Sequence, residues 1–148
     1  MTTPLLQVRD LHKHFPVGKT GLLGRPAQML RAVDGVSFDV HAGETLGLVG
    51  ESGCGKSTCA RTVVGLYEPT SGTVMYEGAE ISSLSRKERA PYRRKIQMIF
   101  QDPYASLDPR QTVASILAEP LKIHYLAKPR ERRLHAMQLL DAVGLNPR

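Results

Sequence analysis

The chain has 148 residues, a formal net charge of +6, 41% hydrophobic and 23% charged residues, the balance of a globular domain with one core rather than of a disordered or fibrous chain. No run of about 18 apolar residues is present to span a membrane, and the first residues lack the charged-then-apolar order of a secretory leader. The two cysteines, Cys54 and Cys59, sit in one segment; they make neither a disulfide framework nor a four-ligand zinc site, and fit a reducing cytoplasm. Basic residues gather at 86–89, 93–95 and 128–133. With no aromatic-rich motif beside them they read as solvated helix faces, and nucleic acid is not an expected partner.

In chain order, residues 5–9 read as a short strand that 15–17 continue or pair with. Residues 18–26, rich in Gly, Pro and basic side chains, read as a loop. Residues 33–40 alternate, with Val36, Phe38 and Val40 on one side, as a half-buried strand does. A turn follows at 41–44. Residues 45–49 are a near-continuous apolar run, the pattern of a strand buried on both faces. Residues 57–66 are expected to be helical, with Gly65 as the stop. A strand is expected at 73–76, a polar helix at 85–94 interrupted by Pro91, and a second apolar strand at 96–100. The last third changes character. A helix is expected over 112–119, stopped by Pro120, and another over 130–143, with Ala136, Leu139, Leu140 and Val143 on one face.

The apolar run at 45–49 leads directly into Gly50, Glu51, Ser52, Gly53, Cys54, Gly55, Lys56, Ser57 and Thr58. This meets the pattern G-x-x-x-x-G-K-[ST], and each residue type has a task. Glycines let the backbone curl so that successive N–H groups point at phosphate oxygens. A helix opening at the loop presents free N–H groups and its positive dipole end to the same anion. Lys56 brings a point charge to the β- and γ-phosphates, and the Ser57 hydroxyl is suited to Mg²⁺. The alternative, a glycine-rich turn with a surface lysine, does not explain why a buried strand precedes the loop and a helix follows it. The expected ligands are therefore ATP and Mg²⁺.

These residues resemble the Walker A loop of ABC transporter ATPases, as do the flanking segments 32–38 and 43–49. Residues 96–110, with Gln101, Asp102, Pro103 and Tyr104 at their centre, are similar to the Q-loop region of the oligopeptide/dipeptide importer subgroup. The resemblance covers nearly the whole chain. It implies an α/β fold: a P-loop NTPase-like core with an N-terminal antiparallel β region over residues 1–110, and the beginning of an α-helical subdomain over 111–148. It implies that Gln101 acts in catalysis and on Mg²⁺, together with Lys56 and Ser57, and that Phe15 stacks on adenine. Read without the resemblance, Gln101 is a loop glutamine at a strand end and Phe15 a core ring. Tyr104 reads as Q-loop packing. The implied assembly is an ATPase subunit on the cytoplasmic face of the membrane, peripheral, dimerising head to tail with a second ATPase subunit. It would dock on transmembrane permease subunits and be served indirectly by a solute-binding protein.

The family's signature segment, its Walker B Asp-Glu strand and its switch histidine find no match. None of His12, His14, His41, His124 and His135 falls where that histidine belongs. Because those missing groups place charge around the reacting phosphoryl group, the chain reads as the N-terminal piece of a longer subunit, expected to bind nucleotide weakly and hydrolyse it very slowly. Two other readings compete: a small-molecule P-loop kinase, which leaves the Q-loop text and Phe15 unexplained, and a non-catalytic nucleotide-binding module.

Overall fold

The structure, a computed structural model, describes residues 3–20, 26–102 and 107–146. The chain divides into two compact units, one ending at Gln97 and the other beginning at Met98.

The first unit is built on a four-stranded antiparallel sheet, in the order β2-β1-β3-β4. Strand β1 spans Leu6–Thr20 and β2 spans Pro26–Val40. These arms are much longer than the sequence pattern implies, and they include both flanks of the expected loop; residues 21–25 lie outside the described residues. The outer parts of the arms are exposed at Val17, Met29 and Leu30, so no alternation betrays them. Pro16 is accommodated where β1 pairs with β2 alone, because the pairing with β3 ends at His12 and a missing N–H is harmless on an open edge. Strand β3 covers Ser71–Tyr76, and the two-residue β4, Ala79–Glu80, turns back on it.

Helix α1, Lys56–Val63, buries Cys59, Thr62 and Val63, which the 3- and 4-residue spacing places on one side. Cys59 and Val63 join Val8, Leu11, Val33, Val74 and Ile81 in the core, with Leu6, Phe38, Tyr76, Tyr92 and Ile96 packed around it. Burial pushes the Cys59 thiol pKa up. Helix α2, Ala90–Lys95, carries Pro91 in its first turn, where a proline starts a helix rather than interrupting one. The buried Arg89 ties this region to the end of α1: its guanidinium donates to the carbonyls of Ser82 at 3.0 Å, Leu84 at 3.1 Å and Gly65 at 3.3 Å.

The two apolar runs expected as strands are in no ladder among the described residues. Residues 45–49 have no strand partner among the described residues, and neither do residues 96–100. A run of apolar residues marks a segment fit for burial, but a strand also needs a neighbour to receive its N–H and C=O groups.

The second unit holds α3, Val113–Ile123, and α4, Arg132–Ala142. Thr112 caps α3, accepting from Ser115 N at 3.2 Å. The helix runs through Pro120 to Ile123 rather than stopping before it, with Leu121 buried in its last turn. Packing of that leucine outweighs the one hydrogen bond a proline removes. In α4 only Ala136 is buried, while Leu139 and Val143 of the expected apolar face are exposed.

Candidate functional site

The residues from Gly50 to Thr58 are brought together as a loop wrapped on the N-terminus of α1. Gly53 and Gly55 have φ of 85° and 95°, conformations open to glycine. Gly55 is also where the loop touches the sheet: a Cβ added there would lie 2.0 Å from the Ala32 carbonyl oxygen of β2. Gly55 stands at the N-cap of α1 and offers no side-chain cap, so the first N–H groups of the helix are left for another acceptor. The helix itself is anchored by Cys59 N donating to Gly55 O at 2.8 Å.

Lys56 curls back over the loop, its Nζ donating to the carbonyls of Gly50 at 2.7 Å and Glu51 at 2.6 Å. Cys54 Sγ lies 3.5 Å from the same ammonium. Ser57 and Ser52 are exposed, and Thr58 is half-buried with its carbonyl accepting from Thr62 Oγ1 at 2.7 Å. Beside the loop is a cavity of about 320 Å³ whose lining includes Arg31, Ala32, Asp34, Val49, Gly55 and Lys56. Its charged side chains are the cations Arg31 and Lys56 and the carboxylate Asp34. That carboxyl is held below the usual range, chiefly by its hydrogen bond from His12 and further by Arg31.

Phe15 lies on β1 opposite Leu30, half-buried and outside the lining of that cavity. It meets Tyr67 edge to face, ring centroids 5.4 Å apart. Lys13 Nζ stands over its ring at 4.9 Å and donates to Glu68 O at 2.8 Å. Gln101 is exposed and belongs to the second unit. Tyr104 falls outside the described residues.

Comparison with known proteins places the chain. The family model described as "ABC transporter" matches residues 33–148. The chain belongs to the ABC transporter family. This is a family of nucleotide-binding cassettes, and its fold is the one found here. Two solved structures of the cassette MJ0796 match with a TM-score of 0.72 and 25% identity, over 92% of this chain and 56% of theirs. One is described as a dimeric post-hydrolysis state bound to ADP and Pi, the other as a dimeric bacterial ABC transporter cassette. Among curated relatives, the oligopeptide transport ATP-binding protein OppF of Bacillus subtilis is 51% identical over 99% of this chain and 46% of its own length. AppF of the same organism, also named for oligopeptide transport, is 50% identical over 97% of this chain and 44% of its own. The di/tripeptide transport ATP-binding protein DppF of Pseudomonas aeruginosa is 48% identical over 97% and 44%. The chain thus spans less than half the length of the curated relatives it matches. Among the described residues, no helix is long and apolar enough to cross a membrane.

Two groupings escaped the sequence reading. One is Lys13, Phe15 and Tyr67. The other is His12, His14 and Asp34, gathered from β1 and β2. Alternation along a strand puts 12 and 14 on one face and 13 and 15 on the other, but Tyr67 and Asp34 come from other segments that only the fold brings near.

Proposed function

We propose that this chain forms the phosphate-binding part of an ATP-driven peptide importer's ATPase subunit. The observation that carries the reading is the start of α1: a helix N-terminus with no side-chain cap, entered through Gly53 and Gly55 at positive φ, with Lys56 folded over it. Those free N–H groups and the ammonium suit the β- and γ-phosphates of ATP. The cavity beside it is lined by two cations, Arg31 and Lys56, against one carboxylate, Asp34, a balance that suits a polyanion. The exposed Ser57 hydroxyl would hold Mg²⁺, whose part is to neutralise charge on the phosphates, and Gln101 would complete that shell. Phe15 would offer a flat face to adenine; since Lys13 stands over the ring and Tyr67 meets it edge-on, these two neighbours hold it in orientation.

In this reading residues 1–110 are the ATP-binding core and 111–148 open a helical subdomain. The working assembly pairs two ATPase subunits head to tail beneath permease subunits on the cytoplasmic face of the membrane. The transported solute is a peptide, as the relatives' names suggest, and the selection of cargo falls to the other subunits. ATPase activity belongs to that whole subunit, and the present chain is expected to turn over ATP very slowly.

The test is a nucleotide titration of wild type and Lys56→Ala with a fluorescent ATP analogue and Mg²⁺, folding being matched by circular dichroism. A hydrogen bond to a charged group contributes about 1.5–3 kcal/mol, so affinity should fall roughly 10- to 100-fold at 1.4 kcal/mol per decade. Equal affinity of the two proteins would overturn the assignment.

A further inference from the structure

On the two strands that support the phosphate loop, three side chains converge in a way that nucleotide binding does not use. His12 and Asp34 face each other across the β1–β2 ladder. His12 Nδ1 lies 3.0 Å from Asp34 Oδ1, and His14 Nε2 lies 3.7 Å from the same oxygen. One ligand atom from each of the three residues falls within 4.8 Å of the other two. We propose that His12, His14 and Asp34 form a binding site for a divalent first-row transition cation, with zinc as its natural occupant.

The first argument is distance. Zinc takes nitrogen and carboxylate oxygen at about 2.0–2.1 Å, so tetrahedral ligands sit about 3.3 Å from one another. The two separations seen, 3.0 and 3.7 Å, straddle that value, and the third lies within 4.8 Å. Three protein ligands leave the fourth position to water, reached from the side on which Asp34 is half exposed.

The second argument is an orphan. His14 Nε2 is buried and has no hydrogen-bond partner among the described residues. A buried ring nitrogen without a partner is destabilising, and here it points into a group of atoms that a cation would draw together. Its strand is fixed independently, His14 N donating to Thr70 Oγ1 at 2.9 Å.

The third argument is orientation. The other ring nitrogen of His12, Nε2, lies 3.1 Å from Asp10 Oδ1. Without metal the ring stands between two carboxylates; a cation would replace the proton on Nδ1, while Asp10 keeps the Nε2–H and so fixes both tautomer and ring direction. The backbone is bent to allow it. Asp10 has φ of 46°, with its N–H held by Ser37 Oγ at 2.8 Å. Gly35, at φ of 78°, leaves the space where a Cβ would come 3.3 Å from Asp10 Oδ1 and 3.6 Å from His12 Cε1. Register shifts on both sides of the His12–Asp34 pair re-aim the side chains, as bulges do. Arg31 opposes the cation by charge, but it approaches the other oxygen of Asp34, at 3.5 Å, and leaves Oδ1 to the histidines. Two imidazoles and one carboxylate suit zinc and its neighbours rather than Mg²⁺ or Ca²⁺, which favour all-oxygen shells.

The experiment is calorimetric titration of the chain with zinc chloride, free of tags and chelators, beside His14→Gln, Asp34→Asn, Asp10→Asn and the distant control His124→Gln. One zinc per chain is expected in wild type and control. His14→Gln and Asp34→Asn should lose at least about tenfold in affinity, and Asp10→Asn, which removes only the orienting carboxylate, about 10- to 100-fold. A second readout needs no variant: with cobalt in wild type, the ring protons of His12 and His14 should be paramagnetically shifted and those of His41, His124 and His135 should not. Absence of binding, unchanged binding in His14→Gln, or shifted rings belonging to other histidines would each overturn the site.

Discussion

Gly55 sits where the phosphate loop, α1 and β2 meet, and replacing it separates two effects of glycine. Its φ of 95° disfavours any side chain, at roughly 1–2 kcal/mol for a left-handed conformation. In addition, a Cβ would stand 2.0 Å from the Ala32 carbonyl oxygen, where real contacts do not fall below 3.0 Å. Ala32 lies between the Lys13–Val33 and His14–Arg31 pairs of the ladder, so its carbonyl cannot retreat by the missing ångström without disturbing β2. Overpacking of this kind costs about 1–3 kcal/mol. Gly53 is the comparison, because it has φ of 85° but nothing within 4 Å of its added Cβ. Gly53→Ala should therefore carry the conformational term alone, and Gly55→Ala both. With urea m-values of about 1–3 kcal/mol/M, the two midpoints should differ by roughly 1 M, Gly55→Ala unfolding first. Equal midpoints for the two variants would refute the claim that close approach to β2, rather than φ alone, dictates glycine at 55.

Arg89 is buried against three carbonyls, and Arg89→Met keeps its bulk while leaving Ser82, Leu84 and Gly65 without their donor. A loss of about 1–3 kcal/mol is expected for such acceptors; a change under about 0.5 kcal/mol, the range of ordinary surface substitutions, would show that water replaces the guanidinium. Glu88 supplies a pH test. It accepts from Ser85 Oγ at 2.6 Å and Ser85 N at 3.0 Å, and these bonds, the hydroxyl first, hold its carboxyl below the usual range. A depressed folded pKa means stability that is present above the unfolded value of about 4.3 and lost as pH falls through the folded one. Melting curves of wild type and Glu88→Gln should therefore differ at neutral pH and converge in acid. A gap that persists below about pH 3 would assign the difference to something other than ionisation.

The parts of this molecule legible in the sequence are those in which one local constraint decides the answer. The loop from Gly50 to Ser57 combines glycines at fixed spacing with a lysine and a hydroxyl, and only a few backbone paths satisfy all of them. Helix α1, expected over 57–66 with Gly65 as its stop, is found at Lys56–Val63. The second half of β2 alternates because Val36 and Phe38 pack towards the core while Gly35 and Ser37 are exposed. The outer arms of β1 and β2 were illegible because solvent reaches both sides of them, which removes the alternation a half-buried strand shows. Pro91 and Pro120 misled in the same sense: each was read as a break, yet the first starts a helix and the second is overridden by the burial of Leu121. The cluster of His12, His14 and Asp34 needed the register of β1 on β2, including its bulges, and no local pattern contains that.

Residues 45–49 show how a segment's composition and its pairing can part company, and why this bears on the loop. Leu46 and Leu48 are nearly half exposed and Val49 is 91% exposed, although the run has the make-up of a strand covered on both faces. With no ladder among the described residues on the segment that enters it, the loop is held by Lys56 at the Gly50 and Glu51 carbonyls, by the approach of Gly55 to Ala32 and by the buried side of α1. A phosphate cradle works by fixed placement of N–H groups before the anion arrives, and here Lys56 holds the Gly50 and Glu51 carbonyls while the run before them has no strand neighbour among the described residues. Any segment that paired with 45–49 would act twice: it would cover Leu46, Leu48 and Val49, and it would fix the entry to the loop. Burial of apolar surface and tightening of the phosphate site are then one event. Pairing of 45–49 with a neighbouring strand should therefore raise nucleotide affinity without a single new contact to the nucleotide.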